Sequence, residues 1–248
     1  MVTHRRAMLF VLGVLIYGHA FPQSPEEIVR RAEEAIKGKT CHGLFTMKVA
    51  TPDFQRTLRM ESWWVGNEKA LITILAPARE AGNRTLKVGR EIWMYLRNTE
   101  TTIKIPPSMM LQSWNGSDYT YDDLVRESDL VRDYHISIAG NDTLDGVATW
   151  KLALLPRPEA PVVWGKVLYW VRKPDYLPAR VEYFDEEGEL VRTMIFQEFK
   201  ALGGRKIPSR WTMRNQRKPG HYTEITIESI EFDIRIPDRV FSFRELER

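Results

Sequence analysis

The side chains able to act as acids, bases, nucleophiles or metal ligands are few in this chain and far apart. Past the first twenty residues the histidines are His42, His135 and His221, and none shares a ligand spacing with another. Cys41 is the one thiol, which excludes an intramolecular disulfide framework and a cysteine-cluster metal site. His42 beside it projects to the opposite face of a strand, so Cys41 reads as a small buried hydrophobe rather than a nucleophile. Asp118, Asp122 and Asp123 form the densest acidic group; helix-capping and solvated-turn roles account for them more cheaply than a bound cation. No glycine-rich phosphate loop follows a strand, and no Gly-x-Ser-x-Gly elbow occurs. The basic runs Arg205-Lys206 and Arg214 to Lys218 have few stacking aromatics around them, which argues against an oligonucleotide partner. The expectation is a protein without catalysis, metal or cofactor.

What the chain has in quantity is apolar and adaptable: eight Trp and nine Met in 248 residues. Trp supplies large contact area with one polar edge, and Met fits irregular apolar surfaces. Met1 to Arg6 followed by the apolar run Ala7 to Tyr17 and then Gly18-His19-Ala20 has the layout of an export signal cleaved after about Ala20. The run is shorter than the ~20 residues a membrane-spanning helix needs. Removing residues 1–20 takes away Arg5 and Arg6, so 36 basic residues become 34 against 33 acidic ones, and the formal charge falls from +3 to +1. A nearly neutral chain gives no electrostatic reason to bind a polyanion. No cysteine sits at the cleavage point, so lipidation there is not expected, and the mature residues 21–248 are read as one soluble, monomeric periplasmic domain.

These side chains must be held by a β-rich scaffold. Ser24-Pro25-Glu26-Glu27 is a capping box with proline at the first helical position, and Ile28, Ala32, Ala35 and Ile36 follow at helical spacing up to Gly38. Beyond Gly38 the period becomes two: Phe45, Met47 and Val49 alternate with polar residues, and so do Leu58, Met60 and Trp64. Val65-Gly66-Asn67, Leu144-Asp145-Gly146, Glu186-Glu187-Gly188 and Leu202-Gly203-Gly204 punctuate the later strands as turns. The apolar phase shifts between Ile227 and Ile230, which predicts a bulge near Ser229. About eleven strands, thirteen at most, at hairpin spacing predict one strongly bent antiparallel sheet or an open barrel. Pro106 to Asp133 interrupts the pattern with Met109, Met110, Leu111 and Trp114 on a long loop, which either plugs a cavity of its own domain or faces a partner.

The order of features resembles a known family, the bacterial outer membrane lipoprotein-sorting proteins of the LolA-like carrier superfamily. The residues that carry the resemblance are Met60-Glu61-Ser62-Trp63, Ala76-Pro77-Ala78-Arg79, Ile92-Trp93-Met94-Tyr95-Leu96 and, above all, Ile105-Pro106-Pro107-Ser108-Met109-Met110 running into Ser113-Trp114 and Gly116 to Leu124. Downstream, Pro161 to Lys166, Tyr176-Leu177-Pro178, Gly203 to Pro208 and Lys218-Pro219-Gly220-His221 continue it. One departure is Val65 to Lys69, which holds no arginine where the archetypal carrier has one that helps lock its lid. The resemblance implies mainly β structure, a half-open barrel covered by helices, and a hydrophobic cavity that shields a lipid or lipoprotein in the periplasm during outer membrane biogenesis. It implies an acylated cargo, and an inner-membrane lipid transporter or lipoprotein-releasing complex as partner. The expected lining is Phe45, Met47, Leu58, Met60 and Met94 from early strands, Trp150, Trp170 and Trp211 from later ones, and Met109, Met110, Leu111 and Trp114 from the loop. A lipid-sensing regulatory module of the envelope and an enzyme on the same fold are the alternatives.

Overall fold

The structure is a computed structural model that describes residues 23–126, 130–160 and 162–248. The export signal read from residues 1–20 lies outside the described residues. Helix α1 (Pro25–Lys37) starts where the sequence predicts: the Ser24 hydroxyl accepts from the Glu27 N–H at 3.2 Å, and Gly38 ends it. Among the described residues thirteen strands follow. The first six are β1 (Thr40–Ala50), β2 (Gln55–Val65), β3 (Lys69–Ala76), β4 (Arg84–Val88), β5 (Glu91–Leu96) and β6 (Thr101–Lys104). After an excursion that contains α2 (Tyr121–Arg126) and α3 (Leu130–Asp133), the remainder are β7 (Tyr134–Leu144), β8 (Val147–Pro156), β9 (Lys166–Arg172), β10 (Pro178–Phe184), β11 (Leu190–Leu202), β12 (Arg205–Asn215) and β13 (Tyr222–Phe232). A short α4 (Phe243–Leu246) follows.

All thirteen strands form a single antiparallel sheet in the order β6-β5-β4-β3-β2-β1-β13-β12-β11-β10-β9-β8-β7. Only one neighbour pair, β1 with β13, is distant in sequence; the rest are successive hairpins. The consequence lies at the edges. β6 and β7 end the sheet on opposite sides yet follow one another in the chain, so the chain between them, described at residues 105–126 and 130–133, has to cross from one edge to the other. The loop is therefore a strap over the concave face of an unclosed barrel.

The period of two decides what the concave face carries. Phe45 pairs with Met60 and Met47 with Leu58, all pointing inward. The predicted bulge is present: Leu44 pairs with Ser229 but Phe45 with Ile227, which leaves Glu228 as the extra residue. Gly43 is required by close packing, because a Cβ there would sit 2.8 Å from the Phe45 ring and 2.9 Å from the Ser229 carbonyl. At the β7–β8 hairpin both turn residues, Asp145 and Gly146, have positive φ, the twist a two-residue turn demands.

Two apolar clusters fill the barrel. One gathers the early strands with β13 and the strap, and the other packs the buried face of α1, Ile28, Val29, Ala32 and Ile36, onto β7 to β11. A third, on the outer face, seats Phe241 and Leu246 against Leu71, Leu86 and Tyr95.

Candidate functional site

Between the two inner clusters, under the strap, lies a cavity of about 280 Å³. At the volume of liquid water that is room for roughly nine water molecules. Its early-strand wall is Phe45, Met60, Trp64 and Ile72, and its late-strand wall is Val181, Met194, Phe196, Trp211 and Met213. Ile36 of α1 closes one side, while Trp114, Tyr119 and Leu124 of the strap form the cover. The opposition follows from register. Met194 pairs with Met213 and Phe196 with Trp211, so β11 and β12 present both pairs to the same side, against Phe45 and Met60.

The strap is fastened to both walls. On the early side the Trp114 indole N–H donates to the Thr85 hydroxyl at 3.2 Å, and the Tyr121 hydroxyl donates to Met94 Sδ at 3.3 Å. Arg56 of β2 donates to the Asn115 carbonyl. On the late side Arg192, an inward residue of β11, holds Asp123 in a two-pronged ion pair with both contacts at 2.8 Å, and donates to the Asp118 carbonyl at 3.0 Å. Burial opposes the charge of Arg192, but Asp123 outweighs it and raises its pKa. Its guanidinium lies over the Trp164 ring, 4.5 Å from the centroid. Asp118 and Thr223 of β13 bond reciprocally: the Asp118 N–H donates to the Thr223 hydroxyl, which donates to the Asp118 carboxylate, each at 2.8 Å. Burial pushes the Asp118 carboxyl above its ordinary value, with the Thr223 hydrogen bond pulling the other way.

The solvated-turn reading of the acidic trio is thereby corrected. Asp122 is buried, Asp118 is half-buried on the barrel, and Asp123 both caps α2 through Thr120 and carries the ion pair. Cys41 and His42 diverge as expected. The thiol is fully buried and its pKa is pushed up by burial to about 12, while His42 lies outside between Glu61 and Glu231, stacked on Trp63 at 3.6 Å. Among the described residues no group of three or more His, Cys, Asp or Glu side chains could hold a metal ion, and no helix is long and apolar enough to cross a membrane.

Four residues of the expected lining face the cavity: Phe45, Met60, Trp114 and Trp211. Met47 and Leu58 share their inward phase but lie deeper, in fully packed core. Met94 of β5 and Met109 and Met110 of the strap itself do not line the cavity but pack, partly buried, against the first cluster, and Trp150 packs on Tyr176 in the second. Two placements are corrected. Leu111 is 62% exposed, on the solvent side of the strap. Trp170 faces outward, with its N–H on Asp142 at 3.0 Å and Lys151 and Arg180 over its ring, because it pairs with Lys151 across the ladder. Trp64, Trp164, Met194, Met213 and Arg192 were missed. For Trp64, Met194 and Arg192 a signal existed in the two-residue alternation with Met60 and Phe196.

A family model described only as that of an uncharacterized protein matches residues 66–248. No curated protein matches the chain by sequence. Solved structures do. A DUF1329 family protein from Desulfovibrio piger superposes with a TM-score of 0.81 at 20% identity, over 90% of this chain and 97% of the other. A LolA superfamily protein from Nitrosomonas europaea gives 0.74 at 23% identity, over 89% and 98%. A candidate outer membrane lipoprotein-sorting protein domain from Vibrio parahaemolyticus gives 0.76 at 21% identity, over 90% and 98%. The shared property is the fold, a half-open antiparallel barrel with a covered concave face.

Proposed function

We infer that this chain, which belongs to the uncharacterized-protein family whose model spans residues 66–248 and has the LolA-like fold, is a periplasmic carrier for an acylated lipid or lipoprotein. The reading rests on one observation: a largely apolar cavity of about 280 Å³ enclosed between two filled clusters, beneath a strap bonded to both walls. Eight tryptophans and a sheet this long do not by themselves call for a hole, since cores pack densely when nothing else is required. An acyl chain that buries about eight methylenes there gains about 6 kcal/mol, at ~0.8 kcal/mol each, before the cost of ordering it. Loading requires the strap to part from at least one wall. Transfer needs no catalysis, and the cargo's donor or acceptor is an inner-membrane lipid transporter or a lipoprotein-releasing complex. Export by cleavage after about Ala20 delivers a soluble, non-lipidated monomer to that compartment.

The test is direct. Mature protein purified from cells is extracted for mass spectrometry of bound lipid, and the stripped protein is titrated with a fluorescent fatty acid. Co-purifying acyl lipid and saturable uptake are expected. Reproducible absence of both refutes the carrier.

A further inference from the structure

The cavity is polar at one end, and the strand rows show what stands next to that end. Counting inward residues down the early wall from the β2–β3 turn, the first row is Trp64, Ala70 and Lys87, the second Ser62, Ile72 and Thr85, and the third begins at Met60. The charges at the polar end have partners. Lys87 Nζ donates to the Asn67 carbonyl at 2.6 Å, the Glu33 carboxylate is 3.7 Å from the Lys37 ammonium, and Lys69 turns outward to Asp238. In the second row the Thr85 hydroxyl accepts the Trp114 indole N–H. Ser62 differs: it lines the cavity with 4% of its surface exposed, and among the described residues nothing hydrogen-bonds its hydroxyl. Its neighbours are apolar. Met60 and Trp64 flank it on the inward face of β2, Ile72 is its partner on β3, and its partner on β1 is Gly43, over which the Phe45 ring lies.

Buried polar groups in folded proteins are nearly all hydrogen-bonded, and a hydroxyl buried without a partner costs free energy that an alanine in its place would not. A partnerless hydroxyl on the wall of a binding cavity therefore points to the ligand. Successive inward residues of a strand are about 7 Å apart, so Ser62 stands that far inside the polar end, where the head of an amphiphile gives way to its chain. The group at that junction in an acyl lipid is a carbonyl, an acceptor for the serine O–H. We propose that Ser62 donates a hydrogen bond to the acyl carbonyl of the cargo and so selects chains carried as an ester or an amide over chains joined through an ether. The chain then runs past Met60 and Phe45 toward Phe196 and Trp211. The proposal rests on the carrier reading and adds the linkage of the cargo to it. Thr85 takes no part, because it lies two strands from Ser62, roughly 10 Å away, too far to share one carbonyl.

Stripped full-length mature protein is titrated with three neutral probes of equal chain length: 1-palmitoylglycerol, an ester; N-palmitoylethanolamine, an amide; and 1-O-hexadecylglycerol, an ether without the carbonyl. At least one acyl probe is expected to bind about fivefold or more tighter than the ether, the effect of one hydrogen bond from a buried donor. Whether the ester or the amide binds better separates a glycerolipid from an N-acylated cargo. Ser62→Ala should bring the preference below about twofold and leave the ether's affinity unchanged. As a second measurement, the infrared band of the isotope-labelled ester carbonyl should lie at lower frequency in the unaltered protein than in dry hexane, and the shift should vanish in Ser62→Ala. Equal binding of all three probes overturns the Ser62 site and leaves the carrier standing. Binding of none overturns the carrier and the site together. A carbonyl band unshifted in the unaltered protein overturns the hydrogen bond without recourse to any variant. A preference or band shift that survives in Ser62→Ala, once circular dichroism shows it folded, overturns the assignment to Ser62.

Discussion

Removing the Asp123 carboxylate tests how the strap is held. In Asp123→Ala the Arg192 guanidinium stays where β11 puts it, 4% exposed, and keeps one hydrogen bond to the Asp118 carbonyl while losing both contacts to its counter-ion. Breaking a buried pair from one side costs about 3–5 kcal/mol, because a charge is left without compensation. The Asp123 side chain is 21% exposed, so water can reach part of the site, and the expected loss lies at the lower end, about 3 kcal/mol. Loss of the hydrogen bond that the Thr120 N–H donates to the Asp123 carboxylate adds about 1 kcal/mol, while the Thr120 hydroxyl keeps its cap bond from the residue 123 N–H. Urea unfolding followed by tryptophan fluorescence measures it, with the slope checked for constancy so that the midpoint shift reports stability alone. The double variant Arg192→Met with Asp123→Leu removes both charges and should recover most of the loss. A single-variant loss below about 1 kcal/mol, the range of an exposed bridge, would mean that the pair does not fasten the strap. A double variant no better than the single one would refute the argument from uncompensated charge.

Three further outcomes follow from the same contacts. Cys41, buried with its thiol pKa raised to about 12, should resist thiol reagents at pH 8 in the folded protein and react fully in urea; rapid labelling of folded protein would contradict its place in the core. The Asp175 carboxyl is pushed up by burial but held below its ordinary value by Arg172 and Lys206, so its stabilisation is complete above pH ~4 and lost as pH falls below that; Asp118, raised by burial, works in the opposite sense and costs stability as pH rises through and above that value. Urea midpoints measured from pH 3 to 7 should therefore fall less steeply toward acid in Asp175→Asn, and rise more toward neutral pH in Asp118→Asn, than in the unaltered protein. Leu246→Ala, at a fully buried position beneath the outer face of β3 to β5, should cost about 2–5 kcal/mol without changing lipid uptake at a temperature where the variant is folded.

The scaffold was legible for local reasons. Each hairpin is written in neighbouring residues: alternation across β1 and β2, turn chemistry at Asp145-Gly146, and a phase shift that located the bulge to within a residue of Glu228. The capping box at Ser24 set the start of α1 just as locally. Alternation even carried part of the site, because Phe45 and Met60 lie on the inward phase wherever the sheet closes. It failed for Trp170. β9 reads Lys166-Val167-Leu168-Tyr169-Trp170-Val171-Arg172, with five successive apolar or aromatic residues and no polar partner to mark a face, so only the pairing with Lys151 turns the indole outward.

Sequence alone determined an antiparallel, strongly bent sheet with an amphipathic first helix and an apolar interior, since those properties depend on neighbours two to four residues apart. Tertiary structure decided where the interior is empty. Met47 and Leu58 have the same phase as Phe45 and Met60, yet the first pair is sealed in core and the second borders a cavity, because filling depends on what the opposite wall and the strap bring to each row. It also decided that Arg192 meets Asp123, sixty-nine residues away. That contact depends on edge strands β6 and β7 being successive in the chain but opposite in the sheet, which forces the strap across the mouth and brings distant charges together.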